Sequence, residues 1–419
     1  MIKSIECWNV EIPLKIGFQH AQYHHRFHRC IYVRVNGVQS GIYGLGECIP
    51  RSYLTGETLD QVMDWLRQKA KHWLQVELSL SEDIHKMLEF QYQEASEQGH
   101  LAASSGLDIA LYDWWSRAVR RPLIELLPLE SIPFKKFEKQ TLPINAPVGL
   151  GPFLKSKIGG FLIAGFRRFK IKIADMDGWL KFQPLAIILT QLGCEVIVDC
   201  NGAFSLEQAR KLLAEASESG VAAVEEPLKR SANSLNDLKA LVYEFQDQVS
   251  LIVDEHFCSF QEGHFWADTP VIRNLRLAKN GGFTGGIHQL RLVKAVSAEG
   301  RSSKGRNSRQ GFKDPTYLSL PILSGSLVGE GLLMENASKL MRLFYSPQFV
   351  DPAWGTFLLS TNPQGPENKK NKIKFNRLEN KASQFQSPDS LGLGVKFHED
   401  LVRSYCCRYE KWSKTKKIT

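Results

Sequence analysis

From about residue 142 onward, five short apolar runs recur: Phe169–Ile173, Val196–Asp199, Ala222–Glu225, Leu251–Asp254 and Leu275–Ala278. Each is followed by a stretch of helical periodicity. The charged residues that close these runs are Lys172, Asp199, Glu225, Asp254 and Lys279, separated by 27, 26, 29 and 25 residues. One strand, one helix and two short loops consume about that much chain, so the runs predict consecutive parallel βαβ units. Taken singly, each charge reads as a polar residue that ends a strand. Five in register, in the order plus, minus, minus, minus, plus, predict a (β/α)8-type barrel with functional groups gathered at the C-terminal mouth.

Three carboxylates converging from neighbouring strands repel one another unless a cation neutralises them. An all-oxygen donor set suits Mg²⁺, or Mn²⁺ in its place. With Phe169–Ile173 as the second barrel strand, Asp199, Glu225 and Asp254 end strands three, four and five. Lys172 and Lys279 then face each other from strands two and six. A lysine near other cations and partly desolvated has a lowered pKa and can act as a base near neutrality. Lys170, two residues before Lys172 on the same strand face, is a candidate for that neighbouring charge.

The first 130 residues have a different pattern. Residues 2–11, 29–35 and 40–46 alternate as strands, with Asn36-Gly37-Val38 between the latter two as a hairpin-like turn. Helical periodicity follows in 57–75, 81–94 and 101–118. This predicts an antiparallel sheet with helices, an α+β unit over 1–130, beside a barrel over 140–377.

Lys170-Ile171-Lys172, Asp199-Cys200-Asn201, Val224-Glu225-Glu226-Pro227, Val253-Asp254-Glu255 and Leu275-Arg276-Leu277-Ala278-Lys279-Asn280-Gly281-Gly282 resemble the ordered motifs of the enolase superfamily, specifically its muconate lactonizing enzyme subgroup. Gly44-Leu45-Gly46-Glu47 and the segment Ala102–Asp113 are similar to that family's capping domain. The resemblance covers most of the chain. It implies a modified TIM barrel of the (β/α)7β type under an α+β capping domain built from 1–130, with 378–419 returning to it.

In that family the common step removes the proton α to a carboxylate and gives an enediolate. The resemblance therefore implies Asp199, Glu225 and Asp254 as ligands of Mg²⁺, Lys172 and Lys279 as the acid/base pair, and Lys170 as the residue that tunes Lys172. It implies an isomerase or lyase, muconate cycloisomerase-like, with o-succinylbenzoate synthase and N-acylamino acid or dipeptide racemase-epimerase as alternatives. Capping loops set the substrate in such enzymes. Here they are residues 16–28, with His20, and 49–56, with Arg51 and Tyr53; Asn201 and Glu330 complete the expected substrate contacts. The four histidines of 16–28 read as a substrate-facing loop rather than a metal cluster.

Four features depart from the family pattern. Arg276 stands where relatives often carry a lysine, and His256 where a serine is usual. The eighth-strand region has Asp351 without the paired Asp-x-Asp that holds an α-ammonium in dipeptide epimerases. A basic insertion at 300–315 interrupts the connection to strand seven.

Charge supplies the competing reading. With 53 Lys+Arg against 44 Asp+Glu the chain carries +9, which raises a basic nucleic-acid-binding protein with a vestigial barrel. The excess is localised, however. Residues 301–313, 369–377 and 411–419 hold fourteen basic residues and no acid, so the rest of the chain carries −5. No helix-turn-helix, RNA-recognition or zinc-finger pattern accompanies the charge. A small carboxylate is the expected partner, with no nucleic acid, no membrane, and self-association left open. Eight cysteines without metal spacing, no apolar signal core and no uncharged run of 18 residues point to a cytoplasmic location.

Overall fold

The alternating N-terminal segment folds into a long antiparallel hairpin, β1 (Ile2–His20) and β2 (Tyr23–Gly37), followed by β3 (Tyr43–Cys48). The C-terminal strand Cys406–Ser413 pairs with β1 on its outer side, so chain start and chain end share one sheet. This is a computed structural model. It describes residues 1–20, 23–76, 81–129, 144–151, 153–231, 233–293, 319–342, 346–352, 359–360, 363–366, 374–376, 381–383 and 391–414. Only the backbone is described at 16–20, 23–25, 81–83, 319, 346, 365–366, 374–376 and 381–383. The basic insertion lies outside the described residues, as do most of 369–377 and Lys416 and Lys417 of the tail.

Helices α1 (Leu59–Gln75), α2 (Ser81–Gln98), α3 (Leu101–Val119) and α4 (Leu123–Leu126) cover the antiparallel sheet. A capping box of Thr58 and Gln61 starts α1. The glycines of Gly44-Leu45-Gly46 are explained by the closeness of β3 to α3. A Cβ on Gly46 would lie 1.8 Å from the Gly106 carbonyl oxygen, and one on Gly106 would lie 2.3 Å from Cys48 Sγ. Backbone therefore meets backbone, and α3 is buried from Leu101 to Ser116.

The barrel alternates β4 (Ala146–Gly149), α5 (Leu154–Ile163), β5 (Arg168–Lys172), α6 (Met176–Gln191), β6 (Glu195–Asp199), α7 (Leu206–Glu218), β7 (Ala223–Glu225), α8 (Ser234–Phe245), β8 (Ser250–Val253), α9 (Phe260–Trp266), β9 (Ile272–Leu275), α10 (Gly282–Arg291), β10 (Ser319–Ser324), α11 (Leu332–Arg342) and β11 (Ser346–Val350). The eight strands β4 to β11 form one sheet in chain order, and the pairings are parallel. The first and last strands meet where the Asn145 amide donates to the Val350 carbonyl at 2.8 Å. Ile197, Ala223, Ile252, Ile272, Leu323 and Phe349, one from each strand β6 to β11, form a separate buried cluster that fills the barrel. The larger core lies between the strands and the helices and continues into the capping sheet.

Two expectations need correcting. Of residues 16–28, expected as a loop, the described 16–20 and 23–28 lie in strands: their backbone makes the distal arms of the β1–β2 hairpin, with His20 paired to Tyr23. The alternation that marks a strand simply continues there, and the side chain of His20 lies outside the described residues. The sixth barrel strand ends at Leu275 rather than Ala278, because the chain turns immediately: the Lys279 and Asn280 amides both donate to the Arg276 carbonyl at 3.0 Å.

Candidate active site

Parallel pairing in register sets the strand-end charges side by side. Lys172 pairs with Asp199, and Asp199 with Glu225; Asp254 follows the last residue of β8. Alternation along β5 puts Lys170 and Lys172 on the same face. The Lys170 ammonium is buried within 2.6 Å of Glu225, 2.8 Å of Asp351 and 3.5 Å of Asp199. Lys172, nearer the rim and 23% exposed, donates to Asp199 at 3.0 Å and to Asn201 Oδ1 at 2.7 Å. It lines, with Asp199 and Asn201, a cavity of about 800 Å³ bounded on its other side by Gly149–Gly151 and the start of α6.

The sixth-strand residues are arranged differently from the sequence expectation. The Arg276 guanidinium reaches Asp254 Oδ2 at 2.5 Å and Glu225 Oε1 at 3.7 Å. Lys279 is wholly buried beneath: its ammonium donates to the Asp254 carbonyl at 2.5 Å and the Phe257 carbonyl at 2.8 Å, and lies 2.9 Å from Asp254 Oδ1. Asn274, a polar residue inside β9 rather than at its end and so unmarked by the strand-end pattern, donates to Glu225 Oε1 at 2.8 Å. Asp351 accepts from both Lys170 and Asn145. These partners come from strands far apart in sequence.

Burial, opposed by Lys170 and reinforced by Asp199, Asp254 and Asp351, pushes the Glu225 carboxyl up to about 8. Glu255 is driven well up by burial and by Asp254, Glu226 and Asp199. Asp199 and Asp254 are buried too, yet Lys172 and Lys170 around the first, and Arg276 and Lys279 around the second, hold them below the usual carboxylate range. Lys170 is held strongly charged, because Asp351, Glu225 and Asp199 outweigh its burial. The cluster thus contains more carboxylate than its own cations neutralise. Lys170 lies 2.6 Å from Glu225 Oε2, and Lys279 and Arg276 lie 2.9 and 2.5 Å from the two oxygens of Asp254. Three buried carboxylates from neighbouring strands make an all-oxygen donor set that fits a hard divalent cation. Their donor atoms are less tightly gathered than a bare ligand triad: among the described residues, the group whose donors fall within 4.8 Å of one another is His28, Cys30 and Glu47.

That second group belongs to the capping sheet. His28 Nε2 pairs with Glu47 Oε1 at 2.8 Å, and Gln364 donates to Glu47 Oε2 at 3.0 Å. Of the histidine run, His28 is therefore an interior residue. Arg51 is buried and gives its guanidinium to the carbonyls of Arg29, Pro50 and Val328. With Arg26, Arg29 and Tyr53 it lines a cavity of about 500 Å³. Tyr53 lies within electrostatic reach of Arg276 and Asp254. Glu330 is buried with Oε1 unpartnered, and burial pushes it up to about 8.

Two strand-end residues adopt left-handed backbone without being glycine, Asn201 and Glu226, both at φ 44°. Each costs on the order of 1 kcal/mol and is held by its surroundings. Glu226 is clamped by the Asp254 amide at 2.6 Å and by the ring of His256, whose other nitrogen meets Ser234 Oγ at 2.6 Å. The histidine at the unusual position is thus a buried brace behind the carboxylates.

A family model described as enolase C-terminal domain-like matches residues 157–299. A hydrophobic dipeptide epimerase of Roseobacter litoralis is 28% identical over 272 residues, covering 62% of this chain and 71% of that protein. A chloromuconate cycloisomerase of Cupriavidus necator is 22% identical over 417 residues, covering 96% of this chain and 98% of that one. The crystal structure of a dipeptide epimerase from Cytophaga hutchinsonii, complexed with Mg and D-Ala-L-Val, superposes with a TM-score of 0.72 at 18% identity, covering 98% of this chain and 99% of that one. Residues 157–299 thus match the enolase C-terminal domain-like model, the chain shares the fold of a solved dipeptide epimerase, eight parallel strands under an antiparallel cap, and the relatives it is similar to are epimerases and cycloisomerases, all isomerases.

Proposed function

We propose that the chain removes the proton α to the carboxylate of a small substrate, with Lys172 as the base, in a muconate cycloisomerase-like reaction. Asp199, Glu225 and Asp254 are the residues that would hold a divalent metal, Mg²⁺ or Mn²⁺. Bound there, the cation polarises the substrate carboxylate and stabilises the charge that builds as the proton leaves. The observation that carries this reading is the buried row of three carboxylates beside a rim lysine that opens to a cavity.

Lys170 acts from below. Its charge sits on the same strand face as Lys172, and Asp351 and Asn145 fix it. Because Asp351 is engaged by Lys170, the eighth strand offers no idle carboxylate among its described residues for an α-ammonium. This supports cycloisomerisation or elimination over dipeptide epimerisation. Arg51 and Tyr53 on the capping side, and Asn201 and Glu330 on the barrel side, are the substrate contacts of this reading. The capping unit over 1–130 with the C-terminal strand, and the barrel over 140–377, divide the work between recognition and chemistry. A cytoplasmic location fits eight unbridged cysteines.

The test is deuterium incorporation from D₂O, with Mg²⁺ present, into a panel of muconates, succinylbenzoate precursors, N-acylamino acids and dipeptides, read by mass spectrometry. At least one compound class should exchange, and Lys172→Ala should lower its rate by about 10³ or more, the scale of a lost general base. Exchange at the wild-type rate in Lys172→Ala would defeat the assignment.

A further inference from the structure

We propose that this site handles the substrate proton from one face only, that of Lys172, while Arg276 stands across the mouth as a fixed cation; its reactions are then one-base conversions, cycloisomerisation or syn elimination, and not racemisation or epimerisation. The inference rests on the α-proton reading above.

The ring of groups around the carboxylate row carries the argument. Strands β5 and β9 are second and sixth of eight, so the residues at their ends face each other across the barrel. On the β5 side, Lys172 lines the cavity. On the β9 side the chain offers two cations three residues apart, and the turn after Leu275 separates their fates. Lys279 has no exposed surface, and its ammonium faces three acceptors, two main-chain carbonyls and one Asp254 oxygen. An ammonium carries three donors, so this set accounts for them all. To reach substrate, Lys279 would have to abandon every one of them. Arg276 takes the mouth instead, its guanidinium against Asp254 and within 3.7 Å of Glu225.

Arginine does not exchange protons at ordinary pH; it stays protonated up to about pH 12 and acts as a planar cation. Of the other protonatable groups near it, Tyr53 comes from the capping side and Glu330 follows β10, the seventh strand, so neither stands at the strand-six position that faces Lys172. Lys170 is buried among three carboxylates.

The proton balance follows. Removal breaks the α C–H bond, the proton passes to Lys172 Nζ, and the electron pair stays with the carboxylate-bearing carbon. In elimination that pair expels a β-oxygen leaving group, which collects the same proton from Lys172 on the same face. In cycloisomerisation a substrate carboxylate oxygen adds to the double bond, and the Lys172 ammonium delivers its proton to the α-carbon. Racemisation requires a second proton carrier on the opposite face. That position is held by a guanidinium.

The test has two arms on the full-length protein. In the first, N-acylamino acids and dipeptides are offered as each α-epimer, together with muconolactone, in D₂O with Mg²⁺, and the products are resolved by chiral chromatography and mass spectrometry. Deuterium should enter without epimer crossover in the wild type, and Arg276→Lys should gain crossover by at least tenfold. In the second, native lysines are acetylated in a time course without substrate and mapped by peptide mass spectrometry. Lys172 should label at least tenfold faster than Lys279. Deuterated crossover of epimers by the wild type, or Lys279 labelling as fast as Lys172, would overturn the inference. Absence of exchange in every probe would remove the α-proton reading and this inference with it, whatever the labelling shows.

Discussion

Asp108, in the middle of α3, ties the capping unit to the barrel loop that carries Arg276 and Lys279. Its carboxyl accepts the Phe283 amide at 2.6 Å and the Thr284 amide at 3.2 Å through Oδ2, and the Thr284 hydroxyl at 2.5 Å through Oδ1. It therefore caps α10 from another part of the fold. The approach needs Gly282, at φ 77°, where a Cβ would sit 2.5 Å from Asp108 Oδ2. Asp108→Ala removes all three bonds and strands the Phe283 amide in a residue with no exposed surface. A lost cap costs about 1–2 kcal/mol, and a buried amide left unpaired a further ~1–3 kcal/mol. The expected loss is thus about 2–5 kcal/mol. Asp108→Asn keeps one acceptor oxygen and should lose about half of that. Urea unfolding followed by tryptophan fluorescence reads both, with Trp114 and Trp115 on the same helix as reporters. Deuterium exchange with an active substrate should fall in the Ala variant as the loop bearing Arg276 loses its anchor. An Ala variant within about 1 kcal/mol of wild type would refute the view that this contact fixes the loop.

Burial pushes both Glu57 and Asp108 up to about 7, although each accepts amide hydrogens at a helix start. The folded chain therefore holds these protons more tightly than the unfolded one, so their contribution is fully present below about pH 4 and is lost as pH rises through 7. The stability difference between wild type and a Glu57→Gln, Asp108→Asn double variant should shift against the wild type by several kcal/mol between pH 4 and 8; a flat difference would contradict it. Millimolar Mg²⁺ should raise the thermal transition relative to EDTA, by the equivalent of about 2.7 kcal/mol when the ion is at a hundred times its dissociation constant. Asp199→Asn with Glu225→Gln should abolish that increment. An equal increment in the double variant would place the ion elsewhere.

The barrel was legible because its repeat is written in local chemistry: apolar runs that end in charge, at separations one βα unit long. Glycines of the β3–α3 contact were equally plain, although only the 1.8 Å clearance at Gly46 explains why they are needed. The arms of the β1–β2 hairpin were harder to read, since histidines and aromatic residues at 16–28 suit a strand as well as a loop. Partners for Lys170 were not readable either. Asp351 lies 181 positions away, and no local pattern encodes a contact closed across the barrel.

By itself the sequence determined the order of elements, the row Asp199, Glu225 and Asp254, and the lysine that precedes it, because period and polarity suffice for those. It assigned Lys279 to face Lys172 and marked Arg276 only as a departure, since a spacing of three residues has no fixed direction until the backbone is known. Tertiary structure decided between them. The strand stops at Leu275, the following turn carries Lys279 under Asp254, and the guanidinium is left at the mouth.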